Sequence, residues 1–189
     1  FGFRVDSLAH QTGSNETGAV SWGHGFWTPP ALAAPQLALQ YSSQDPGADH
    51  ELASGWRLAG LAQVTRDRRH RDEFVLNGPM KARLMPGEGL ASVAADGLRH
   101  RVFSTSVGAL EAFYDEPEDR WTIYDAAGAR WVFENVETAA APAARWRITR
   151  YEDALGNAIE YSYEHGRLQQ ARFGGSPDAS GAPHSLCMG

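Results

Sequence analysis

Apolar and polar positions alternate in several short stretches of this chain, and turn-forming residues separate those stretches. Leu37, Leu39 and Tyr41 alternate with polar or small residues. Alternation with a period of two is typical of a β-strand that buries one face. The apolar stretch at 74–76 leads into Asn77-Gly78, a pair that favours a tight turn. The first half of the chain is therefore predicted to contain short strands.

The second half of the chain predicts two hairpins. Aromatic-rich segments at 121–124 and 130–133 flank a turn that contains glycine, and this arrangement favours a hairpin. A clearer alternating pattern runs through 146–163, with a turn at Asp153–Asn157. A further strand is predicted at 168–173, after the next turn.

The aromatic and turn-forming residues indicate the fold class. The chain contains 20 Gly, 10 Pro and 11% aromatic residues, a balance that favours strands and turns over helices. We predict an all-β fold, built as an antiparallel, strand-rich meander of hairpins. The predicted segments are an N-terminal arm or linker at 1–20, a β domain at 21–140, a hairpin unit at 145–173, and a loop or truncated tail at 174–189.

The charge balance restricts the partners. A net charge of -6 disfavours binding to a phosphate backbone, which depends on Lys and Arg displacing counterions, so we expect no nucleic-acid partner. The basic run at 66–71 contains Asp67 and is followed by Asp72 and Glu73; we interpret it as a self-compensated surface turn. No apolar stretch approaches the roughly 18 to 20 residues that span a bilayer, so we expect no membrane insertion by this segment. Because the first residue is Phe1 and not Met, we take the sequence as a piece of a longer protein.

Candidate catalytic and metal-binding residues form no recognisable motif, and we predict no catalytic residue, no metal and no cofactor. Cys187 is the single cysteine, which excludes an intramolecular disulfide and a zinc–cysteine site. The acidic run at 115–119 lacks the glycine and the distal glutamate of a calcium loop, so we interpret it as a solvated turn. No serine has the context of a nucleophile elbow. The seven histidines lack HxH or HxxxH spacing and are expected on the surface or in loops: His10, His24, His50, His70, His100, His165 and His184.

One segment matches a known repeat pattern. Asp153 can cap backbone amides at a turn, and glycine and asparagine tolerate a positive φ. Tyrosines spaced two apart can stack in rows across neighbouring strands. The segment resembles one YD repeat of the Rhs family, whose pattern is Asp, two residues, Gly-Asn, alternating aromatics and Gly-Arg-Leu. The residues in register are Asp153, Gly156, Asn157, Tyr161, Tyr163, Gly166, Arg167 and Leu168. One such repeat cannot bury its own face, so it presupposes neighbours.

The earlier part of the chain resembles the N-terminal domain of the virulence-plasmid B-protein (SpvB) family, which also opens the Tc-toxin B component. Four separated elements follow in that family's order, and with the repeat they cover about residues 19 to 173. The elements are Pro35 to Ser43 with Tyr41, then Gly55, Trp56, Arg57 and Leu58, then Val64 to Arg66, then Asp72 to Gly78.

These resemblances imply a role in containment. In Tc B components and Rhs proteins, strands wind into a hollow shell around a C-terminal toxic domain. By resemblance, this chain is a structural shell segment of a large secreted toxin or virulence protein, made in the bacterial cytoplasm and not itself an enzyme. Its expected partners are the rest of its parent chain, with further YD repeats and a C-terminal toxin domain, and a toxin-translocation subunit if the parent is a Tc B component. The sequence leaves open whether the parent is of the SpvB, Tc B or Rhs type.

Three tryptophans support an alternative function. Trp22, Trp27 and Trp56 are expected in the core, because each lies in or near an apolar strand pattern. If they formed an exposed aromatic platform instead, the chain would be a carbohydrate- or cell-surface-binding β module.

Overall fold

The computed structural model describes residues 13–14, 20–44, 53–67, 69–70, 72–78, 80–87, 92–93, 99–107, 109–136, 145–174 and 184–187. Strands are the regular structure of these residues, and every strand pairing among them is antiparallel. The predicted all-β, antiparallel class is confirmed. No helix capable of crossing a membrane occurs in the described part of the chain.

The described residues form sixteen strands. They are β1 (Gly13–Ser14), β2 (Val20–Gly25), β3 (Ala38–Ser42), β4 (Trp56–Ala59), β5 (Gln63–Arg66), β6 (Phe74–Asn77), β7 (Ala82–Pro86), β8 (Ser92–Val93), β9 (Arg99–Thr105), β10 (Leu110–Asp115), β11 (Arg120–Asp125), β12 (Arg130–Glu134), β13 (Arg145–Glu152), β14 (Ala158–Glu164), β15 (Arg167–Phe173) and β16 (His184–Cys187). The predicted hairpins β11–β12 and β13–β14 and the predicted further strand β15 are confirmed.

The chain divides into two compact units. The small unit comprises 1–28 and 35–60, and the large unit comprises 29–34 and 61–189. The division therefore falls inside the segment that we expected to be one β domain at 21–140. The hairpin unit at 145–173 belongs to the large unit, and β16 lies within the segment expected to be a loop or tail.

The small unit contains one four-stranded sheet in the order β1-β2-β3-β4. In its central rows, Trp22 lies opposite Tyr41, and Tyr41 lies opposite Trp56. Residues that lie directly opposite each other in paired strands point to the same face. This sheet therefore carries a row of three aromatic side chains on one face.

The large unit is built on a closed barrel. Its sheet runs in the order β12-β11-β10-β9-β7-β6-β5-β13, and β13 pairs back onto β12. The eight-residue strand β13 makes this closure possible, because its first residues pair with β5 while its other edge pairs with β12. Eight strands enclose an interior that side chains can fill.

Large apolar side chains fill the barrel. Trp121, Ile123 and Phe133 are fully buried, and so are Val64 and Leu84 on the opposite strands. Each such side chain contributes roughly 1.5 to 3 kcal/mol by leaving water. The barrel interior is therefore the hydrophobic core of the large unit.

The sheet continues beyond the barrel. The last residues of β13, Arg150–Glu152, pair with β14, and β15 and β16 follow in order. Ile159, Ala171 and Phe173 are buried on one face of this extension. The large unit is thus a closed barrel from which an open strip of sheet emerges at β13.

Candidate functional site

The turn between β13 and β14 is organised by one carboxylate. The Oδ1 atom of Asp153 accepts hydrogen bonds from the backbone N–H groups of Leu155 and Asn157, both at 2.9 Å. Its Oδ2 atom accepts a 2.8 Å hydrogen bond from the Asn157 side chain. Gly156 has φ +83°, a left-handed conformation that glycine adopts without steric cost. The Asn157 amide and the backbone donors lower the pKa of Asp153, since they favour its charged form.

The second turn of the repeat-like segment joins β14 to β15. His165 and Gly166 have φ of 51° and 75°. Two successive positive φ values are the signature of the two-residue turn that matches the twist of a hairpin. Arg167 then lies opposite Glu164, and the side chain of Leu168 is buried.

The two tyrosines of the segment lie at apolar positions. Tyr161 is 9% exposed, and burial raises its pKa because the phenolate would lose its hydration. The Tyr163 hydroxyl donates a 2.8 Å hydrogen bond to the carbonyl of Ile148 on β13. All eight residues of the YD-type motif therefore lie in one three-stranded unit, in β14, β15 and the turns that join β13, β14 and β15.

The motif residues of the small unit form a second cluster. Tyr41 and Trp56 have ring centroids 5.2 Å apart, and Trp22 packs edge-on against Trp56 at 5.3 Å. Gly55 has φ +80°, and a Cβ built on it would lie 2.6 Å from a Tyr41 ring atom. A larger residue at position 55 would require both the Tyr41 ring and the Ser42 backbone carbonyl, 2.8 Å from that Cβ, to move.

The expectation of three core tryptophans is wrong for Trp27, which is 69% exposed. Trp22 and Trp56 are half-buried. Trp27 lies beyond the end of β2 and next to Pro29 and Pro30, where the alternation of the strand no longer directs side chains to one face.

One carboxylate at an end of the barrel was not predicted as a site. The Oδ1 atom of Asp119 accepts 2.7 Å hydrogen bonds from the Tyr114 hydroxyl and the Trp146 indole. Its Oδ2 atom accepts a 3.2 Å hydrogen bond from the Asn135 side chain. Burial, followed by the hydrogen bond to Asp119, raises the pKa of Tyr114. Asp119 thereby joins β10 and β13 with the residue that follows β12.

The acidic run at 115–119 is therefore not simply a solvated turn, and that expectation is corrected. Asp115 is 3% exposed and forms an ion pair with Arg120 at 3.4 Å. Asp119 turns inward because the polar atoms of Tyr114 and Trp146 lie in an aromatic cluster and need an acceptor. No feature of the local sequence distinguishes Asp119 from the exposed Glu116 and Glu118 beside it.

The aromatic cluster below Asp119 consists of rings from five strands. Trp121 lies at its centre, with Phe103, Phe74 and Tyr114 at centroid distances of 4.7, 4.8 and 4.8 Å. Trp146 is 6.0 Å away in an edge-on arrangement. Such pairs contribute about 0.5 to 1.5 kcal/mol each beyond the burial of their surface. Aromatic rings therefore fill this end of the barrel.

The charges between β5 and β6 are compensated locally. Asp67 accepts hydrogen bonds from the backbone N–H groups of Arg69 and His70 and lies 3.5 Å from the Arg83 guanidinium. The backbone bond from Arg69 is the main cause of the lowered pKa of Asp67. Within the basic run at 66–71, the His70 imidazole lies 4.0 Å from the Glu73 carboxylate, whereas the guanidinium paired with Asp67 belongs to Arg83 on β7. Arg68 and Arg71 lie outside the described residues.

The two turn carboxylates, Asp119 and Asp153, are both engaged in hydrogen bonds within the fold. Asp119 and Asp153 direct both carboxylate oxygens at donors within the fold. A carboxylate whose oxygens are so engaged is poorly placed to act as a base or a nucleophile. Among the described residues, no three His, Cys, Asp or Glu side chains converge as metal ligands.

No family model matches the chain, and no curated protein matches it significantly.

Proposed function

We propose that this chain is a structural shell segment of a large secreted toxin or virulence protein, which encloses or helps deliver a C-terminal toxic domain. No catalysis takes place in this segment. The observation that carries the proposal is the strip of sheet β13-β14-β15-β16, which runs on from the closed barrel. A wall of strands is extended by adding hairpins to such a strip.

The two faces of the strip differ in polarity, as expected for a sheet with one packed side and one side in water. One face carries the buried side chains of Ile159, Tyr161 and Phe173. The other face carries alternating charges, where Arg150 binds Glu152 at 2.9 Å and Glu160 at 2.8 Å. The charged face suits solvent, and the apolar face suits the packed side of a sheet.

The partners follow from this role. Further YD-type repeats of the parent chain would continue the sheet, and a C-terminal toxin domain would occupy the enclosed volume. If the parent is a Tc B component, a toxin-translocation subunit is a further partner. The parent belongs to the SpvB, Tc B or Rhs type under this proposal, and it is secreted after synthesis in the bacterial cytoplasm.

Limited proteolysis of the intact parent protein tests the proposal. The variant is Gly156→Val, which places a β-branched residue at φ +83°, and the matched control is Asp72→Ala in the exposed part of the β5–β6 turn. We expect the C-terminal region to resist protease in the wild type and in the control, and to be cleaved at least ten times faster in Gly156→Val. Rapid cleavage of the C-terminal region in the folded wild type would contradict enclosure.

A second function has one observation in its favour. Trp27 is 69% exposed, and exposed indoles stack on sugar rings in carbohydrate-binding modules. Fluorescence titration with a glycan panel tests it, with Trp27→Phe as the variant. Binding requires a change in emission that is lost in Trp27→Phe. If emission does not respond to any glycan, the binding-module function is excluded.

A further inference from the structure

Two turns of the large unit share one sequence pattern. The first is Asp125-Ala126-Ala127-Gly128-Ala129, between β11 and β12, and the second is Asp153-Ala154-Leu155-Gly156-Asn157, between β13 and β14. The two aspartates lie 28 positions apart, from 125 to 153. Only the second turn was matched to the repeat pattern from sequence.

The two turns also share their backbone hydrogen bonds. In the first turn, the N–H of Asp125 donates to the carbonyl of Ala129 at 3.1 Å, and the N–H of Gly128 donates to the carbonyl of Asp125 at 3.0 Å. The corresponding distances in the second turn, from Asp153 to Asn157 and from Gly156 to Asp153, are both 3.0 Å.

The side-chain cap and the left-handed residue are also the same. The Oδ1 atom of the aspartate accepts a 2.9 Å hydrogen bond from the N–H four residues later in both turns, Ala129 in one and Asn157 in the other. The glycines have φ of 85° and 83°. The second turn has two further bonds to Asp153, one from the Leu155 N–H and one from the Asn157 side chain.

The strand registers repeat with the same offset. Ile123 lies opposite Trp131 in the first hairpin, and Tyr151 lies opposite Ile159 in the second. Each member of the second pair is 28 positions after its counterpart. The equivalence therefore extends from the turns into the apolar rows of the strands.

The two hairpins dock edge to edge through four kinds of contact. Strand β12 pairs with β13. Across this junction the Arg130 guanidinium binds the Glu152 carboxylate at 3.1 Å, and the rings of Trp131 and Tyr151 lie 5.5 Å apart. The turns themselves meet, because a Cβ built on Gly128 would lie 3.4 Å from the Cβ of Ala154.

From these equivalences we infer that β11–β12 and β13–β14 are two copies of one YD-type hairpin, so that the repeat array begins inside the barrel, at Arg120. The last strand of one copy pairs with the first strand of the next, as β12 pairs with β13. The partner of each copy is therefore another hairpin with the same capped turn. The pattern Asp-Ala-x-Gly occurs again at Asp178 to Gly181, outside the described residues. The interpretation of this array as the start of a shell rests on the proposed function, whereas the equivalence of the copies does not.

Exchange of the two turns in the present chain tests the equivalence. The double variant Ala127→Leu/Ala129→Asn gives the first copy the turn of the second, and Leu155→Ala/Asn157→Ala makes the reverse exchange. We expect both variants to fold and to keep Tm within about 4 °C of the wild type, a shift that corresponds to roughly 1 kcal/mol in a chain of this size. The reverse exchange should show the larger loss, because it removes the Asn157 bond to Asp153.

The control places a turn sequence of the same type between β10 and β11, where the turn differs from the two that are compared. Replacing Glu116 to Asp119 by Ala-Ala-Gly-Ala, the sequence that follows Asp125 in the first turn, should lower Tm by more than about 6 °C, because the acceptor for Tyr114 and Trp146 is lost. If both exchanged turns lower Tm as much as the control does, the two hairpins are not copies of one unit. Amide exchange at residues 129 and 157 gives a second test, since equal protection is expected and unequal loss of the capped N–H would overturn the equivalence. If the exchanged turns are tolerated but the C-terminal region of the parent protein is cleaved rapidly, the proposed shell function is refuted and the equivalence of the two hairpins still holds.

Discussion

The Trp146 indole donates a 2.7 Å hydrogen bond to the Asp119 carboxylate across the end of the barrel. Asp119 has φ +48°, a conformation that aspartate and asparagine tolerate better than most residues. The same Oδ1 atom accepts the Tyr114 hydroxyl. One turn residue thus accepts hydrogen bonds from the buried Trp146 indole and from the half-buried Tyr114 hydroxyl.

Loss of this acceptor should destabilise the protein. Hydrogen bonds to a charged group contribute about 1.5 to 3 kcal/mol each, and Asp119→Ala also loses a residue suited to φ +48°. We predict a decrease of about 3 kcal/mol in the free energy of unfolding, measured by urea denaturation. Glu118→Gln, at the exposed neighbouring position, is the control and should change it by less than about 0.5 kcal/mol. An Asp119→Ala protein as stable as the control would show that the network contributes nothing.

Alkaline pH should destabilise the fold through two tyrosines. The folded-state pKa values of Tyr114 and Tyr161 are raised, in both cases chiefly by burial, above the ordinary value of 10.0. The unfolded chain therefore releases these protons first, and stability is retained below pH about 10 and falls as the pH rises above it. Urea denaturation between pH 8 and 11 measures this effect, and we expect a flatter profile for Tyr161→Phe. An identical slope in this variant would contradict the assignment.

Acid should weaken the charged face of the strip. The hydrogen bond from Arg150 is the main cause of the lowered pKa of Glu152. A lowered folded-state pKa gives stability that is present above the ordinary value of 4.5 and is lost as the pH falls through the folded-state value. Because the Arg150 side chain is 38% exposed, solvent screens the pair and the effect should be below about 1 kcal/mol. Glu152→Gln should show a smaller loss of stability between pH 6 and 3, and no difference from the wild type would refute this role.

Two glycines should differ in their response to alanine. Both Gly55 and Gly156 have positive φ, but a Cβ on Gly156 meets nothing within 4 Å, whereas one on Gly55 lies 2.6 Å from Tyr41. Gly156→Ala should cost about 1 kcal/mol from the left-handed conformation alone. Gly55→Ala should cost more, and it should also change the near-ultraviolet circular dichroism of the Tyr41–Trp56 pair. Equal costs with an unchanged spectrum would contradict the close packing at Gly55.

Local patterns in the sequence predicted the hairpins, whereas the closure of the barrel could not be predicted. The turn at Asp153–Asn157 is specified by neighbours within five positions, so its capping follows from the residues themselves. Closure depends on Trp146 of β13 pairing with Val64 of β5, and no local pattern encodes such a distant partner. Asp119 was missed for the same reason, because its donor Trp146 is 27 positions away.

The structure of the intact parent protein, determined by electron cryo-microscopy, is the most direct test of the central claim that these aromatic rows close a wall of strands. Our account predicts that the sheet continues from the strip β13-β14-β15-β16 into further hairpins, and that this continuous wall surrounds density for the C-terminal region. The account would be contradicted if the barrel formed a separate domain, with the C-terminal region outside it and no further strands paired with the strip.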